Sequence, residues 1–192
     1  MSPDDPGASS YQDVAVHQAM LDDTRRTRAY ETAIARVVRP RHRVLDFGCG
    51  SGVLSIFAAR AGAREVIAVD QSIFIEAARA IAEQNDARSI VFHRDDEESL
   101  ALEEPVDVIV SEWMGHFLFY EDMLGPLLRV RDRFLAPGGT LIPARVSLGG
   151  ALVKDRYHTL WAYDRQGKLR WTVRDPGGYR TAHQPRPMDL DG

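Results

Sequence analysis

The chain lacks most of the features that would connect it to secretion or to a membrane. One cysteine, Cys49, occurs in 192 residues, so no disulfide can form within the chain and a reducing compartment is expected. No apolar run reaches the roughly 18 residues of a membrane span. The first ten residues have neither the basic start nor the apolar core of a secretory signal. A cytoplasmic location without membrane partners is therefore expected.

Positive charge is also scarce. Lysine and arginine together number 24, against 28 aspartates and glutamates, which leaves a net charge of -4. A nucleic-acid partner is disfavoured, because it would call for a basic face. The six histidines show no metal-ligand spacing, so no metal site is predicted. With 44% hydrophobic and 27% charged residues, the composition is that of an ordinary globular protein.

Apolar runs and helical patterns alternate from about residue 21 to residue 143. Strands are predicted at 44–47, 66–69, 90–92, 106–110 and 140–142, helices at 21–38, 53–61, 73–83 and 122–135, and a turn at 137–139. Strands that alternate with helices of about ten residues are typical of a doubly wound, parallel α/β sheet. Beyond Pro143 the alternation ends: residues 145–153 form one more candidate strand, and residues 155–192 show no clear period.

A glycine-rich loop follows the first predicted strand. The segment Asp46-Phe47-Gly48-Cys49-Gly50-Ser51-Gly52 leaves that strand and enters a helix, and its glycines let the backbone approach a ligand closely. Asp70 ends the next strand about twenty residues later, where a carboxylate can accept hydrogen bonds from two ribose hydroxyls. The alternatives are a plain strand–helix turn, and an Asp70 that only caps the helix starting near Ser72.

Two cofactor classes compete for this loop. A dinucleotide site requires G-x-G-x-x-G, and Val53 stands where the last of those glycines would fall. The carboxylate of Asp46 is unfavourable beside a pyrophosphate and favourable beside a cation. S-adenosylmethionine, which carries an ammonium and a sulfonium group, therefore fits the loop better than NAD.

Two carboxylates, Glu112 and Glu121, bracket an aromatic-rich loop after the fourth predicted strand. Aromatic walls exclude water, which strengthens charge interactions between them. Two carboxylates in such a place repel unless a cation lies between them, and the planar guanidinium, with its paired N–H donors, is the natural guest. The alternative is structural: Glu112 caps a turn, Glu121 begins a helix, and the aromatic residues belong to the core.

The sequence resembles the protein arginine methyltransferases over about residues 11–143. The resemblance is carried by Ser111-Glu112-Trp113-Met114-Gly115 with Leu118-Phe119-Tyr120-Glu121, by Val44 to Gly52 with the helix after it, and by Val16-His17, Met20-Leu21-Asp22-Asp23 and Arg26-Thr27 near the start. It implies a Rossmann-like class I methyltransferase sheet. It also implies transfer of a methyl group from S-adenosylmethionine to a guanidinium nitrogen of a protein or peptide arginine.

The resemblance implies that Glu112 and Glu121 are the catalytic residues and that Tyr11 and Met20 contact the substrate. A protonated guanidinium is a poor nucleophile. Two glutamates can draw its positive charge toward the nitrogens that do not react, and one of them can accept the proton released with transfer.

The resemblance also implies the contacts to the cofactor. Arg26 would bind the carboxylate of its methionine part, Asp70 would hold its ribose, and Glu97 would lie by its adenine. The other cofactor-binding residues would be His17, Asp46, Gly48, Cys49, Gly50, Gly52 and Met123.

The chain departs from the family pattern at both ends. Gly7 and Ala8 stand where two pocket-closing aromatic residues are usual, which leaves a small guanidino or amine metabolite as an alternative acceptor. Residues 157–161 do not match the Thr-His-Trp loop of the family's C-terminal β-barrel. Most of that barrel, and the arm used for homodimerisation, are not recognised in the chain. A remnant that only binds the cofactor and acts as an interaction module is the second alternative.

Three segments are expected on this basis. Residues 1–20 form an N-terminal tail and cofactor lid, and residues 21–143 form the S-adenosylmethionine-binding domain. Residues 144–192 form a partial β-barrel or irregular C-terminal segment, and a homodimer is expected only if the family's arm is present.

Overall fold

The computed structural model describes residues 14–114 and 122–146, together with the backbone of residues 159–163 and 169–174. The chain divides into two compact units, Met1–Val146 and Ser147–Gly192. Two of the predicted site residues, Tyr11 and Glu121, lie outside the described residues, and their roles stay predictions.

The first unit is built on five parallel strands with helices on both faces. The helices are α1 (Val14–Asp22), α2 (Thr24–Val37), α3 (Val53–Arg60), α4 (Ile75–Gln84) and α5 (Leu124–Phe134). The strands are β1 (Arg43–Phe47), β2 (Glu65–Val69), β3 (Ile90–His93), β4 (Val106–Val110) and β5 (Leu135–Ile142). Their order is β3-β2-β1-β4-β5, so the direction of winding reverses between β1 and β4. The doubly wound fold expected from the sequence is thus confirmed, and its switch point lies beside the glycine loop.

Both faces of the sheet are buried, which explains why its central strands are apolar without alternation. On one face the core includes Val44, Val66 and Val108 of the strands, packed with Ile34 of α2 and Ala58 of α3. On the other face the strand residues Leu45, Ile67 and Ile109 pack with Leu127 and Val130 of α5. The two layers hold the carboxyl ends of β1, β2 and β4 at one edge of the sheet.

The single helix predicted over 21–38 is in fact the end of one helix and the whole of another. Asp23 separates them as the N-cap of α2, where its carboxylate accepts a hydrogen bond from the backbone nitrogen of Arg26 at 3.2 Å. The preceding helix, α1, was not predicted. Among its residues only His17 is buried, so it lacks the apolar stripe on which a periodicity argument depends.

The predicted turn at 137–139 lies inside β5 rather than before it. Val106 pairs with Leu135 and Val108 pairs with Thr140, so residues 136–139 form an irregular insertion between two ladder positions. Gly138, at φ +78°, supplies the left-handed residue of this insertion.

The described residues of the second unit form two strands, β6 (Thr159–Tyr163) and β7 (Leu169–Arg174), which pair antiparallel. The sequence indicated only the start of a β-region here, because residues 155–192 have no clear period. For the candidate strand at 145–153, Arg145 and Val146 are not in a strand, and the rest lies outside the described residues. Within the described part of the chain, the helices are too short or too polar to cross a membrane.

Candidate functional site

The glycine loop and Asp70 meet at the carboxyl ends of β1 and β2. The backbone nitrogens of Gly48 and Cys49 both donate to the carbonyl of Val69 at 2.9 Å. The nitrogens of Gly50 and Ser72 donate to separate oxygens of the Asp70 carboxylate, each at 2.8 Å. Asp70 therefore fixes the shape of the loop, and each of its oxygens keeps a lone pair for a further donor.

The helix α1 lies directly against this loop. Gly50 has a φ of +51°, and a Cβ there would come within 3.0 Å of Cε1 of His17. The ring of His17 stacks on that of Phe74, with centroids 3.7 Å apart and planes 16° apart. On the other side, the methyl group of Met123 would touch a Cβ at Gly48 at 3.4 Å. The predicted cofactor residues His17 and Met123 thus both lie next to the loop.

An ion pair joins the first helices to Glu112, two residues after the end of β4. Nη1 of Arg26 lies 2.8 Å from Oε2 of Glu112, and Nη2 of Arg26 donates to the carbonyl of Met20. The two charged side chains are 24% and 17% exposed, so the pair is largely removed from water. Residues 86 positions apart in the sequence are therefore brought together here.

Hydrogen bonds within the core fix the backbone from which Glu112 projects. The hydroxyl of Tyr30 donates to the carbonyl of Ser111 at 3.0 Å, and the hydroxyl of Ser111 donates to the carbonyl of Phe47 at 2.7 Å. Burial, followed by the charge of Glu112, raises the pKa of Tyr30, so its phenol stays a donor. Sequence reasoning did not identify Tyr30. The one signal in the sequence is that Tyr30, which carries a hydroxyl group, occupies a position on the buried face of α2.

Seven of the fourteen predicted site residues line one cleft. Its lining includes His17, Met20, Arg26, Gly48, Cys49, Gly50 and Glu112. Asp70 lies beside the lining through its bond to Gly50. Glu97 is not among the lining residues; it forms an ion pair with Arg129 of α5 at 2.6 Å.

Asp46 is a fully buried carboxyl group at the end of β1. The hydroxyl of Ser55 donates to its Oδ2 at 2.6 Å, while Oδ1 has no hydrogen-bond partner in the described residues. Burial raises the pKa of Asp46 to about 7, and the bond from Ser55 opposes this only in part. Burial, followed by the charge of Asp46, also raises the pKa of the Cys49 thiol, which therefore stays protonated. Sequence reasoning missed Ser55, a polar residue in the otherwise apolar first turns of α3.

The Asp46→Asn substitution is expected to remove a pH dependence of stability. The carboxyl group has a pKa of about 7 in the folded state, against an ordinary value of 3.8. At a pH between these two values it is more fully protonated in the folded state than in the unfolded state. Its contribution to the free energy of unfolding therefore falls as the pH rises from about 4 to about 7. Relative to the variant, wild type should lose a few kcal/mol between pH 4 and pH 8, at about 1.4 kcal/mol per pKa unit. Denaturant melts across this range measure the difference, and parallel profiles for the two proteins would contradict the expectation.

The comparison with protein families finds one model that covers more than half of the chain. The model described as "Ribosomal protein L11 methyltransferase (PrmA)" matches residues 26–144. The match begins at Arg26 and includes the glycine loop, Asp70 and Glu112.

Curated relatives share more specific similarity. The chain is 45% identical over 152 residues to protein arginine N-methyltransferase 1 of Schizosaccharomyces pombe, which covers 76% of this chain and 44% of the relative. It is 42% identical over 154 residues to probable protein arginine N-methyltransferase 6 of Arabidopsis thaliana, covering 77% of this chain and 35% of the relative. The chain thus spans less than half the length of these relatives.

Solved structures are similar over the same region. The Trypanosoma brucei PRMT1 enzyme–prozyme heterotetrameric complex with AdoHcy matches with a TM-score of 0.65 at 43% identity, over 69% of this chain and 43% of that one. Protein arginine methyltransferase 10 of Arabidopsis thaliana matches with a TM-score of 0.67 at 37% identity, over 70% of this chain and 39% of that one. The family model, the relatives and the structures all describe methyltransferases, and their names differ in the acceptor.

Proposed function

Because the chain belongs to the protein arginine methyltransferase family, we propose that it transfers a methyl group from S-adenosylmethionine to a guanidinium nitrogen of a protein or peptide arginine. One observation carries this proposal: Glu112 binds a guanidinium, that of Arg26, at 2.8 Å in the cleft beside the glycine loop. A carboxylate that is poised for one guanidinium has the chemistry to accept another.

The residues present fit the cofactor. The positive-φ glycines let the loop turn tightly beside the cleft, and the oxygens of Asp70 can accept bonds from ribose hydroxyls. The guanidinium of Arg26 suits the carboxylate of the methionine part, as a charge-assisted pair. Below the loop, the orphaned oxygen of Asp46 favours a positively charged ligand. When bound, S-adenosylmethionine supplies an electrophilic methyl group on its sulfonium.

Arg26 has two functions in this proposal, and it performs them one after the other. Before the cofactor binds, Arg26 neutralises Glu112, a partly buried carboxylate that would otherwise be costly to leave unpaired. Once Arg26 binds the carboxylate of the cofactor, Glu112 is left to bind the guanidinium of the acceptor. With cofactor and acceptor both bound, Arg26 and Glu112 would each have a partner of opposite charge.

Glu112 then has two tasks toward the acceptor. Its carboxylate fixes the guanidinium by hydrogen bonds and draws positive charge away from the reacting nitrogen. A carboxylate in that position can also take the proton released on transfer. We assign Glu121 as the second carboxylate of the pair, on the strength of the sequence. The bonds from Tyr30 and Ser111 keep the start of the loop rigid, so Glu112 is positioned before the acceptor arrives.

Ligand binding is the direct test of this proposal. S-adenosylhomocysteine at about 100 times its dissociation constant should stabilise the chain by about 2.7 kcal/mol, while NAD should not. The Arg26→Gln variant should bind S-adenosylhomocysteine at least about tenfold more weakly, because it loses a charge-assisted pair. Arg60→Gln is the matched control, since Arg60 bonds to Asn85 on an exposed surface. Titration calorimetry measures all three proteins, and equal affinities would contradict the role of Arg26.

The acceptor class needs a separate measurement. Transfer of a labelled methyl group to an arginine-rich peptide, and none to free guanidino compounds or amines, is the expected result. Transfer to the small compounds alone would instead favour a metabolite methyltransferase. Tight cofactor binding without transfer to any acceptor would contradict the enzymatic proposal for this chain.

A further inference from the structure

Two arginines one helical turn apart on α5 hold the loop that carries Glu97. Nη2 of Arg129 donates to Oε1 of Glu97 at 2.6 Å. The guanidinium of Arg133 donates to the carbonyls of Glu97 and Leu100. The four-residue spacing places both arginines on one face of the helix. The loop is held from below as well, because Leu100 is buried in the same core cluster as Leu127 of α5.

The position of this loop in the sheet relates it to the nucleoside. The strand order is β3-β2-β1, so β3 is the next strand outward from β2, the strand that Asp70 follows. With the ribose at Asp70, a base that extends away from the glycine loop comes to the loop after β3. Glu97 belongs to that loop, and its side chain is 20% exposed, so it is accessible but largely shielded.

The ion pair leaves half of the Glu97 carboxylate available. Arg129 bonds to Oε1, while Oε2 has no donor in the part of the chain that the structure describes. A glutamate has three rotatable side-chain bonds, and holding one oxygen restricts the direction of the other. The Glu97 side chain is therefore already ordered in the free protein. A ligand that donates a hydrogen bond to Oε2 loses less affinity to side-chain ordering than it would with a mobile glutamate.

We propose that Arg129 is a positioning residue for the adenine, acting through Glu97. It holds the Glu97 carboxylate so that Oε2 accepts a hydrogen bond from the exocyclic amino group of the base. Arg133 holds the backbone of the same residue. The inference rests on the proposed function, because it takes S-adenosylmethionine as the ligand. The selectivity it adds is for a base with an amino group over one with a carbonyl oxygen at that position.

The test compares two nucleosides with two variants. S-Adenosylhomocysteine carries the amino group, and S-inosylhomocysteine carries a carbonyl oxygen in its place. Arg129→Gln should weaken binding of the first by about fivefold, the scale of one partly exposed charged hydrogen bond, and leave the second unchanged. Arg131→Gln is the control: Arg131 lies on the same helix and pairs with the neighbouring Asp132 at 2.7 Å, so neither affinity should change. Calorimetric titrations of the 192-residue chain and of both variants measure the affinity of each protein for each ligand.

The outcomes separate this inference from the proposed function. An equal loss for both ligands would give Arg129 only a general role in ordering the loop, and would overturn the inference. So would a variant that binds both ligands as wild type does. If wild type binds neither nucleoside, the proposed function fails first and the inference with it. Thermal melts of Arg129→Gln should match wild type, because Arg129 is 58% exposed.

Discussion

The Glu112→Gln substitution is expected to lower the rate of methyl transfer to an arginine peptide by at least about 100-fold. The amide keeps the size of the side chain but removes the charge that binds a guanidinium and takes up its proton. In the free protein the same change removes the partner of Arg26, which lies 2.8 Å away. Arg26 remains free to bind the cofactor, so the affinity for S-adenosylhomocysteine should be retained.

A matched pair at the other edge of the sheet provides the control. Glu65 accepts a 2.6 Å bond from the guanidinium of Arg43, and both residues lie in the first positions of their strands, away from the cleft. Glu65→Gln also replaces a carboxylate that binds a guanidinium, and it should leave transfer unchanged. Single-turnover assays with labelled cofactor compare the two variants. Near-wild-type transfer by Glu112→Gln would show that Glu112 does not clamp the acceptor.

The parts of the fold that could be predicted are those with a strong local signal. The strand β4 is nearly continuous in β-branched residues because helices cover both faces, and its predicted bounds of 106 and 110 match the structure. The glycine loop and Asp70 could be recognised because their signals lie close together in the sequence. The glycines of a tight turn come directly before a helix, and the carboxylate follows about twenty residues later. The family resemblance depended on the same kind of contiguous pattern.

The parts that could not be predicted depend on contacts between distant segments. Nothing near Arg26 in the sequence indicates that it pairs with Glu112, 86 residues later. The ion pair of Glu97 and Arg129 spans 32 residues and joins a loop to a helix. Helix α1 escaped prediction for a related reason, since it packs on the loop through His17 rather than through an apolar stripe. Local propensity carries no information on such pairings.

The Asp70→Asn substitution is expected to weaken binding of S-adenosylhomocysteine by about 100-fold, the scale of two hydrogen bonds to a charged acceptor. A carboxylate accepts with both oxygens, and here the nitrogens of Gly50 and Ser72 each donate to one of them at 2.8 Å. An amide has a single oxygen, so its NH₂ group must face one of these donors. The variant therefore loses the fixed shape of the loop as well as an acceptor for the ribose, and its thermal midpoint should fall by a few degrees, on the order expected for about 1 kcal/mol.

Asp107 distinguishes this effect from a general cost of replacing aspartate. Its Oδ2 accepts a 2.8 Å bond from the backbone nitrogen of Arg43, at the edge of the sheet opposite the cleft. The amide oxygen of Asp107→Asn can accept that single bond, so both the ligand affinity and the thermal midpoint should stay close to wild type. Calorimetric titration with S-adenosylhomocysteine, together with thermal melts, measures both variants. An Asp70→Asn protein that binds within about threefold of wild type would contradict the ribose role, because the loss of even one hydrogen bond to a charged acceptor costs about tenfold or more in affinity.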